Sequence, residues 1–241
     1  MNSVLIFAGG VGTRMKATNN IPKQFLKVDG KPIIIHTLEK FENSEDIDNI
    51  VVVCIESWIK RLNNYLKKFN IKKVSAVIPG GETGFESRIL GLEHLMKTST
   101  TPSEDIVILH DGVRPIIKDS LISNNIKVTK EHGNCITVGR AMETISIINY
   151  EGMIEKTIDR SQCRYARAPQ TFFLQEIYDG YKSAKEHNRE DLIDSASVFE
   201  YMGKKLYTVE GPEENIKITT PLDYYMFKGI IQAQKNGKFN M

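Results

Sequence analysis

Short apolar runs rich in β-branched residues alternate along most of this chain with longer amphipathic stretches, and that alternation leaves few folds open. Val4 to Ala8, Ile50 to Cys54, Lys73 to Ile78 and Ile106 to His110 read as buried strands. Pro32 to Phe41, Ser57 to Phe69, Phe85 to Lys97 and Asp119 to Glu131 read as the helices between them. A strand that returns parallel to its predecessor needs a crossover of helical length. The pattern therefore predicts an α/β fold, a mostly parallel Rossmann-like sheet flanked by helices. Open sheets of this kind take ligands beyond the carboxyl ends of their strands. The segments there are Gly9 to Arg14, Gly80 to Ser87 and Asp111 to Pro115.

The pattern changes after residue 140. Glu143 to Asn149 alternates, Tyr150-Glu151-Gly152 is a turn sequence, and Met153 to Ile158 continues in strand character. This predicts a β-hairpin inserted at about 141–160; its alternation is only half apolar, so it should project and need a partner surface. Helices follow at Leu174 to His187 and Asp194 to Met202, then a strand at Leu206 to Glu210, a final helix from Pro221 to about Gln234 and a frayed tail. No repeat or linker divides the chain, which reads as one domain over 1–241.

Composition removes several classes of function. With 32 basic and 30 acidic residues the formal net charge is +2, which gives no general reason to bind nucleic acid. The basic run from Lys60 to Lys73 reads as a wet helix face. Cys54, Cys135 and Cys163 are odd in number and lack a CxxC spacing, so neither a disulfide framework nor a zinc ribbon is expected. The apolar runs are too short to cross a membrane, and the N-terminus lacks the features of a secretory signal. A cytoplasmic location is the expectation.

The first loop carries the first chemical signal. In AGGVGTRM, Ala8 to Met15, glycines 9, 10 and 12 let backbone N–H groups approach a phosphate closely. The run is not GxxxxGK[ST], and the dinucleotide fingerprint fails where Met15 replaces its third glycine. Asn19-Asn20-Ile21-Pro22 then breaks the chain before Lys23. Arg14, with Pro22-Lys23-Gln24, fits a loop that wraps a triphosphate; a plain glycine turn with solvated basic residues would look the same.

Further motifs decide between these. GGETGFES at 80–87, HDGVRP at 110–115, TIDRS at 157–161, APQTF at 168–172 and NIKITTPLD at 215–223 follow in order. With the first loop and PKQF, the chain resembles the 2-C-methyl-D-erythritol 4-phosphate and ribitol-5-phosphate cytidylyltransferases from residue 3 to about 232. The resemblance implies attack of a phosphate monoester on the α-phosphorus of CTP, with release of pyrophosphate. The nucleophile is a phosphate whose second pKa is about 6, so no general base is needed. The obstacle is the meeting of two anions, which calls for fixed positive charge and Mg²⁺.

The resemblance assigns roles residue by residue. Arg14, Lys23 and Lys217 are the catalytic cations, and Asp111 is the Mg²⁺ ligand, while His110 before it reads as packing. Ala8, Gly9, Gly10 and Gly12 approach the nucleotide, and Gly80, Gly81 and Ser87 read the cytosine. One departure stands here: GGxxRxxS becomes a motif with Gly84, which should remove a charge near the nucleotide and loosen the loop, with Glu82 and Glu86 solvating it. Arg114 lines the acceptor pocket. Thr144 and Arg160 would reach from the hairpin into a second subunit's site and hold the acceptor phosphate, which implies a homodimer.

The acceptor reads less sharply. Two pocket positions that usually carry Thr hold Ala168 and Ile193. The long Met15–Lys23 connection, Val113, GKPIIIHTLEKF and NIKITTP look closer to ribitol-phosphate enzymes, whereas TIDRS looks like the methylerythritol branch. The expectation is a ribitol 5-phosphate-like alditol phosphate, with 2-C-methyl-D-erythritol 4-phosphate as the alternative. A different nucleoside triphosphate and a non-catalytic CTP-binding module remain as rival functions. The full set of Arg14, Lys23, Asp111 and Lys217 counts against the module.

Overall fold

A computed structural model describes residues 1–10 and 21–237. Gly12 and Arg14 lie outside the described residues. In chain order the first half comprises β1 (Asn2–Ala8), β2 (Lys27–Val28), β3 (Lys31–Pro32), α1 (Ile33–Glu42), β4 (Asn49–Cys54), α2 (Ile59–Lys68), β5 (Val74–Pro79), α3 (Gly84–Thr98) and β6 (Ile106–Asp111). The second half comprises α4 (Asp119–His132), β7 (Asn134–Arg140), β8 (Ile145–Ile148), β9 (Ile154–Ile158), β10 (Arg164–Phe173), α5 (Leu174–Glu186), α6 (Ser195–Tyr201), β11 (Thr208–Glu210) and α7 (Pro221–Lys235).

Seven strands form one sheet in the order β11-β7-β10-β6-β1-β4-β5. Every neighbouring pair is parallel except those made by β10, which runs against both β6 and β7. β1 is central and covered on both faces, which is why its sequence is a continuous apolar run. The two-residue period of a strand sends its side chains to opposite layers. Val4 and Ile6 pack with Ile34, Leu38, Leu62 and Ile122 from α1, α2 and α4. Leu5 packs with Leu92, Ile177 and Phe199 from α3, α5 and α6. A smaller cluster seats Phe227 of α7 on Val28, Ile33, Val113 and Ile218.

β7 forms over the strand-like run that holds Cys135, but one strand escaped the sequence reading: β10 carries Pro169 at its middle, a residue that argues against an interior strand. The sheet accommodates it at an irregularity: the β10–β7 register shifts between Ala166 and Gln170, around the cis Ala168–Pro169 bond. The expected loose loop at Gly84 is also corrected. Gly84 is the first residue of α3, and Thr83 and Glu86 close a capping box over it. The Glu86 carboxylate accepts the Glu82 and Thr83 N–H groups instead of facing solvent.

The hairpin forms as expected. β8 and β9 pair only with each other, outside the main sheet, and expose Ile147, Ile148, Met153 and Ile154. Cys54 and Cys135 are buried thiols. Among the described residues no helix is long and apolar enough to cross a membrane.

The seat of α3 on β1 depends on Gly91. A Cβ there would lie 2.6 Å from both Leu5 methyl carbons, which have no room to move in a fully buried core. Gly229 in α7 faces open space. Gly91→Ala should therefore cost about 1–3 kcal/mol by overpacking despite the better helix former, whereas Gly229→Ala should gain up to about 1 kcal/mol. Urea unfolding of both variants reads the opposite signs.

Candidate active site

The site is assembled where the sheet changes direction of winding, between β1 and β6, whose ends are in register at Phe7 and Asp111. The end of β1 is fixed from outside the strand: the buried Gln24 amide donates to the Ala8 carbonyl at 2.6 Å. Two glycine loops then close on one hydroxyl. Ser87 Oγ accepts the Gly81 N–H at 3.1 Å, and a Cβ on Gly80 would come within 3.0 Å of that oxygen. A Cβ on Gly9 would lie 3.7 Å from it. Gly80 thus needs to be glycine so that Ser87 can hold the loop, and Gly81 presents its backbone to the space in front.

Three motifs distant in sequence lock together beside it. Asp111 Oδ1 lies 2.7 Å from Lys217 Nζ, and its Oδ2 lies 3.4 Å from Arg114 Nε. Arg114 also donates to the Asn215 carbonyl at 2.7 Å, and the Asn215 amide donates to the Ala168 carbonyl at 2.9 Å. Ile218 N–H donates to the Val113 carbonyl at 2.9 Å, which fixes Lys217 opposite Asp111. Burial alone would raise the Asp111 pKa; the Lys217 ammonium and the Arg114 guanidinium override it and hold the carboxyl below the usual carboxylate range. His110, enclosed in the core, is pushed down to about 4 by burial and is neutral at pH 7; its ring packs edge-on against Phe41.

Two cavities adjoin at this point. The larger, about 400 Å³, is lined by Ala8, Gly9, Gly10, Lys23, Gly81, Ser87, Asp111 and Lys217 among others. The smaller, about 250 Å³, contains Arg114, Ala168 and Ile193, together with Arg167, Gln170 and Asp194. Phe7, Arg88, Asp111 and Lys217 face both. The structure therefore brings together every described residue expected from the sequence except three. Gly80 stands behind Ser87, and Thr144 and Arg160 lie exposed on the hairpin, where Arg160 donates to the Met142 carbonyl at 2.9 Å. Neither Thr144 nor Arg160 lines either of these two cavities.

Sequence reasoning missed Arg88, Arg167, Gln170 and Asp194. Gln170 and Asp194 are joined at 2.9 Å and brace the start of α6, since Asp194 also accepts the Ser197 N–H. Arg167 is held by the Pro212 and Glu213 carbonyls. Gln170 stands inside the APQTF motif, which was the available signal; Arg88 sits on a helix face with nothing in the periodicity to mark it.

Residues 2–233 match the family described as IspD, 2-C-methyl-D-erythritol 4-phosphate cytidylyltransferase. The chain belongs to the IspD cytidylyltransferase family. Within it, a ribitol-5-phosphate cytidylyltransferase of Vibrio parahaemolyticus is 48% identical over 98% of both chains. A 2-C-methyl-D-erythritol 4-phosphate cytidylyltransferase of Clostridium botulinum is 36% identical over 96% of this chain and 97% of its own. The crystal structure of 4-diphosphocytidyl-2C-methyl-D-erythritol synthase from Anaerococcus prevotii superposes with a TM-score of 0.80 at 25% identity, covering 96% of each chain. This IspD-family chain is thus a cytidylyltransferase of mostly parallel α/β architecture, as its motifs imply.

The ion pairs at Asp111 are not equal. Lys217 is 42% exposed, and Arg114 only 8%. Lys217→Ala should cost no more than about 1 kcal/mol of stability, whereas Asp111→Ala leaves a buried guanidinium unpaired and should cost about 2–3 kcal/mol at pH 7. Because the folded carboxyl is depressed, its contribution is present above the unfolded value of about 4 and lost as pH falls through the folded value. Urea titrations at neutral and acid pH should show the gap between wild type and Asp111→Ala closing toward low pH.

Proposed function

We propose that the chain transfers CMP from CTP to ribitol 5-phosphate or a closely similar alditol phosphate, giving a CDP-alditol and pyrophosphate. One observation carries this: two adjoining cavities share a wall that holds Lys217 and Asp111. The larger cavity, with its glycine backbone and Lys23, suits the nucleotide. The smaller, with Arg114 and Arg167, suits a compact phosphorylated acceptor. The shared wall is then where the acceptor phosphate oxygen attacks the α-phosphorus and the bond to the departing pyrophosphate breaks.

No side chain removes a proton in this scheme. The acceptor phosphate is already ionised, and the buried His110, whose Nε2 is taken up by the Arg114 carbonyl, is not called on as a base. What the residues do is orient and neutralise. Backbone N–H groups of the glycine loops and Lys23 hold the triphosphate, and Lys217 and Arg14 offset charge as it builds on the phosphorus oxygens. Mg²⁺ fits Asp111 by donor chemistry: one hard carboxylate faces both cavities, and among the described residues no group of three His, Cys or carboxylate side chains offers a closed cage for a softer metal. When bound, Mg²⁺ would neutralise phosphate charge.

The acceptor reading rests on the 48% identity to a ribitol-5-phosphate enzyme and on Ala168 and Ile193, which offer the acceptor cavity no hydroxyl. The dimer reading rests on the hairpin. It exposes Ile147, Ile148, Met153 and Ile154 and carries Thr144 and Arg160 away from its own cavities, so a second copy is the surface it needs. A cytoplasmic site of action accords with the supply of CTP.

A pyrophosphate-release assay that crosses CTP, UTP, ATP and GTP with ribitol 5-phosphate, 2-C-methyl-D-erythritol 4-phosphate, glycerol phosphate and hexose 1-phosphates tests the assignment. CTP with ribitol 5-phosphate should give the highest kcat/KM; preference for the methylerythritol substrate would move the chain to the other branch. Lys23→Ala should fold normally and lose about 10²–10³ in kcat. Wild-type turnover in that variant would remove Lys23 from the mechanism. Arg160→Glu and Lys23→Ala, each nearly inactive, should recover activity when mixed, because one of the two sites in the mixed dimer is then intact. No recovery in demonstrated heterodimers would refute sharing.

A further inference from the structure

Arg88 belongs to neither of the motifs' assigned roles, yet its surroundings are those of a substrate contact. It is half-buried on the first turns of α3 and lines both cavities. Its guanidinium lies over the Phe7 ring at 5.5 Å. Among the described residues it has no hydrogen bond and no carboxylate partner. Of the carboxylates that line the cavities with it, Asp111 is held by Lys217 and Arg114 and Asp194 by Gln170 and Ser197, while the exposed Glu82 makes no ion pair with it. A half-buried guanidinium that offers five donors to no protein acceptor is costly, and an anion that enters the site removes the cost.

Gly84 lies beside that guanidinium. Helical side chains lean toward the N-terminus, so Arg88 reaches back over the residue four positions earlier. A Cβ at position 84 would sit 3.4 Å from Arg88 Nη1, in ordinary van der Waals contact with the end of that side chain. Position 84 carries no charge of its own, and it adjoins the guanidinium of Arg88 in the larger cavity.

We infer that Arg88 contacts the acceptor phosphate, holding it against the α-phosphorus from the wall shared by the two cavities. This rests on the assignment of the two cavities to nucleotide and acceptor. The planar fork can grip two oxygens of one phosphate, which a lysine cannot.

The test uses the full chain with CTP and the polyol phosphate that the wild type turns over best. Arg88→Met, which keeps a stem against Phe7, and Arg88→Ala should each lose about 10²–10³-fold in kcat/KM for the acceptor, while calorimetric CTP affinity without acceptor stays within about threefold. Guanidinium chloride at tens of millimolar should restore part of the activity of Arg88→Ala and none of Lys23→Ala, and Arg88→Lys should recover only a small part. Gly84→Arg combined with Arg88→Ala should outperform Arg88→Ala alone. Acceptor kcat/KM near wild type in Arg88→Met, or a loss matched by CTP affinity with no guanidinium response, overturns the inference. If the wild type itself releases no pyrophosphate from CTP with any polyol phosphate, the cavity assignment fails first and this inference with it.

Discussion

A single carboxylate at the end of β6 makes the rest of this site possible. Arg114 is buried and Lys217 stands beside it, and two such cations would not be held together without a counter-charge. Asp111 supplies it, and the geometry then propagates. Through Arg114 and Asn215 the end of β6 is bound to the 215–218 segment, and through Asn215 to the irregular part of β10. Three segments that are about 50 to 100 residues apart are fixed to one another by charge-assisted and buried hydrogen bonds, whose loss would leave polar groups unpaired in the core.

The frame on which this hangs is dictated by the sheet. β1 lies between β4 and β6, and the chain winds away from it in both directions, so the loops after β1, β5 and β6 converge at one edge. β10 runs the opposite way, so its beginning, with Arg167 and Ala168, arrives at the same edge. Parallel strands thus bring the glycine loops and Asp111, and the one reversed strand brings the acceptor wall. The two cavities meet because two kinds of strand end meet.

Much of this was legible in the sequence, and the reasons for the rest are specific. The runs at Val4, Ile50 and Ile106 stand in layers covered on both faces, so burial wrote them as unbroken apolar strings. The hairpin was readable from its alternation and turn. β10 was not, because Pro169 breaks the strand signal at the place where the sheet itself is irregular. Gly84 reads as loop on propensity, but Thr83 and Glu86 cap the helix around it, and tertiary and capping contacts outweigh a deficit of about 1 kcal/mol. Arg88 and Arg167 were invisible as site residues because a charged residue on an amphipathic helix or a strand edge is ordinarily a solvated one; only the convergence of α3 and β10 on the same edge gives them a common target.

Charge and shape divide the work on the proposed reading. Every member of the family reaction joins two phosphates, so the cations at the junction cannot tell one polyol phosphate from another; they select the phosphate. Discrimination must come from the part of the smaller cavity that meets the carbon chain, where Ala168 and Ile193 stand. A pocket that offers no hydroxyl at these positions leaves no buried donor or acceptor unpaired when a substrate lacks the matching group. At these two positions it therefore discriminates by volume and by solvation, which yields only about 1–3 kcal/mol per missing or extra group. Gln170, Asp194 and Ser195 are the polar groups that the same cavity offers beside them. A donor–acceptor group on the carbon chain can be read only where these polar side chains reach it, and elsewhere the fit is one of shape.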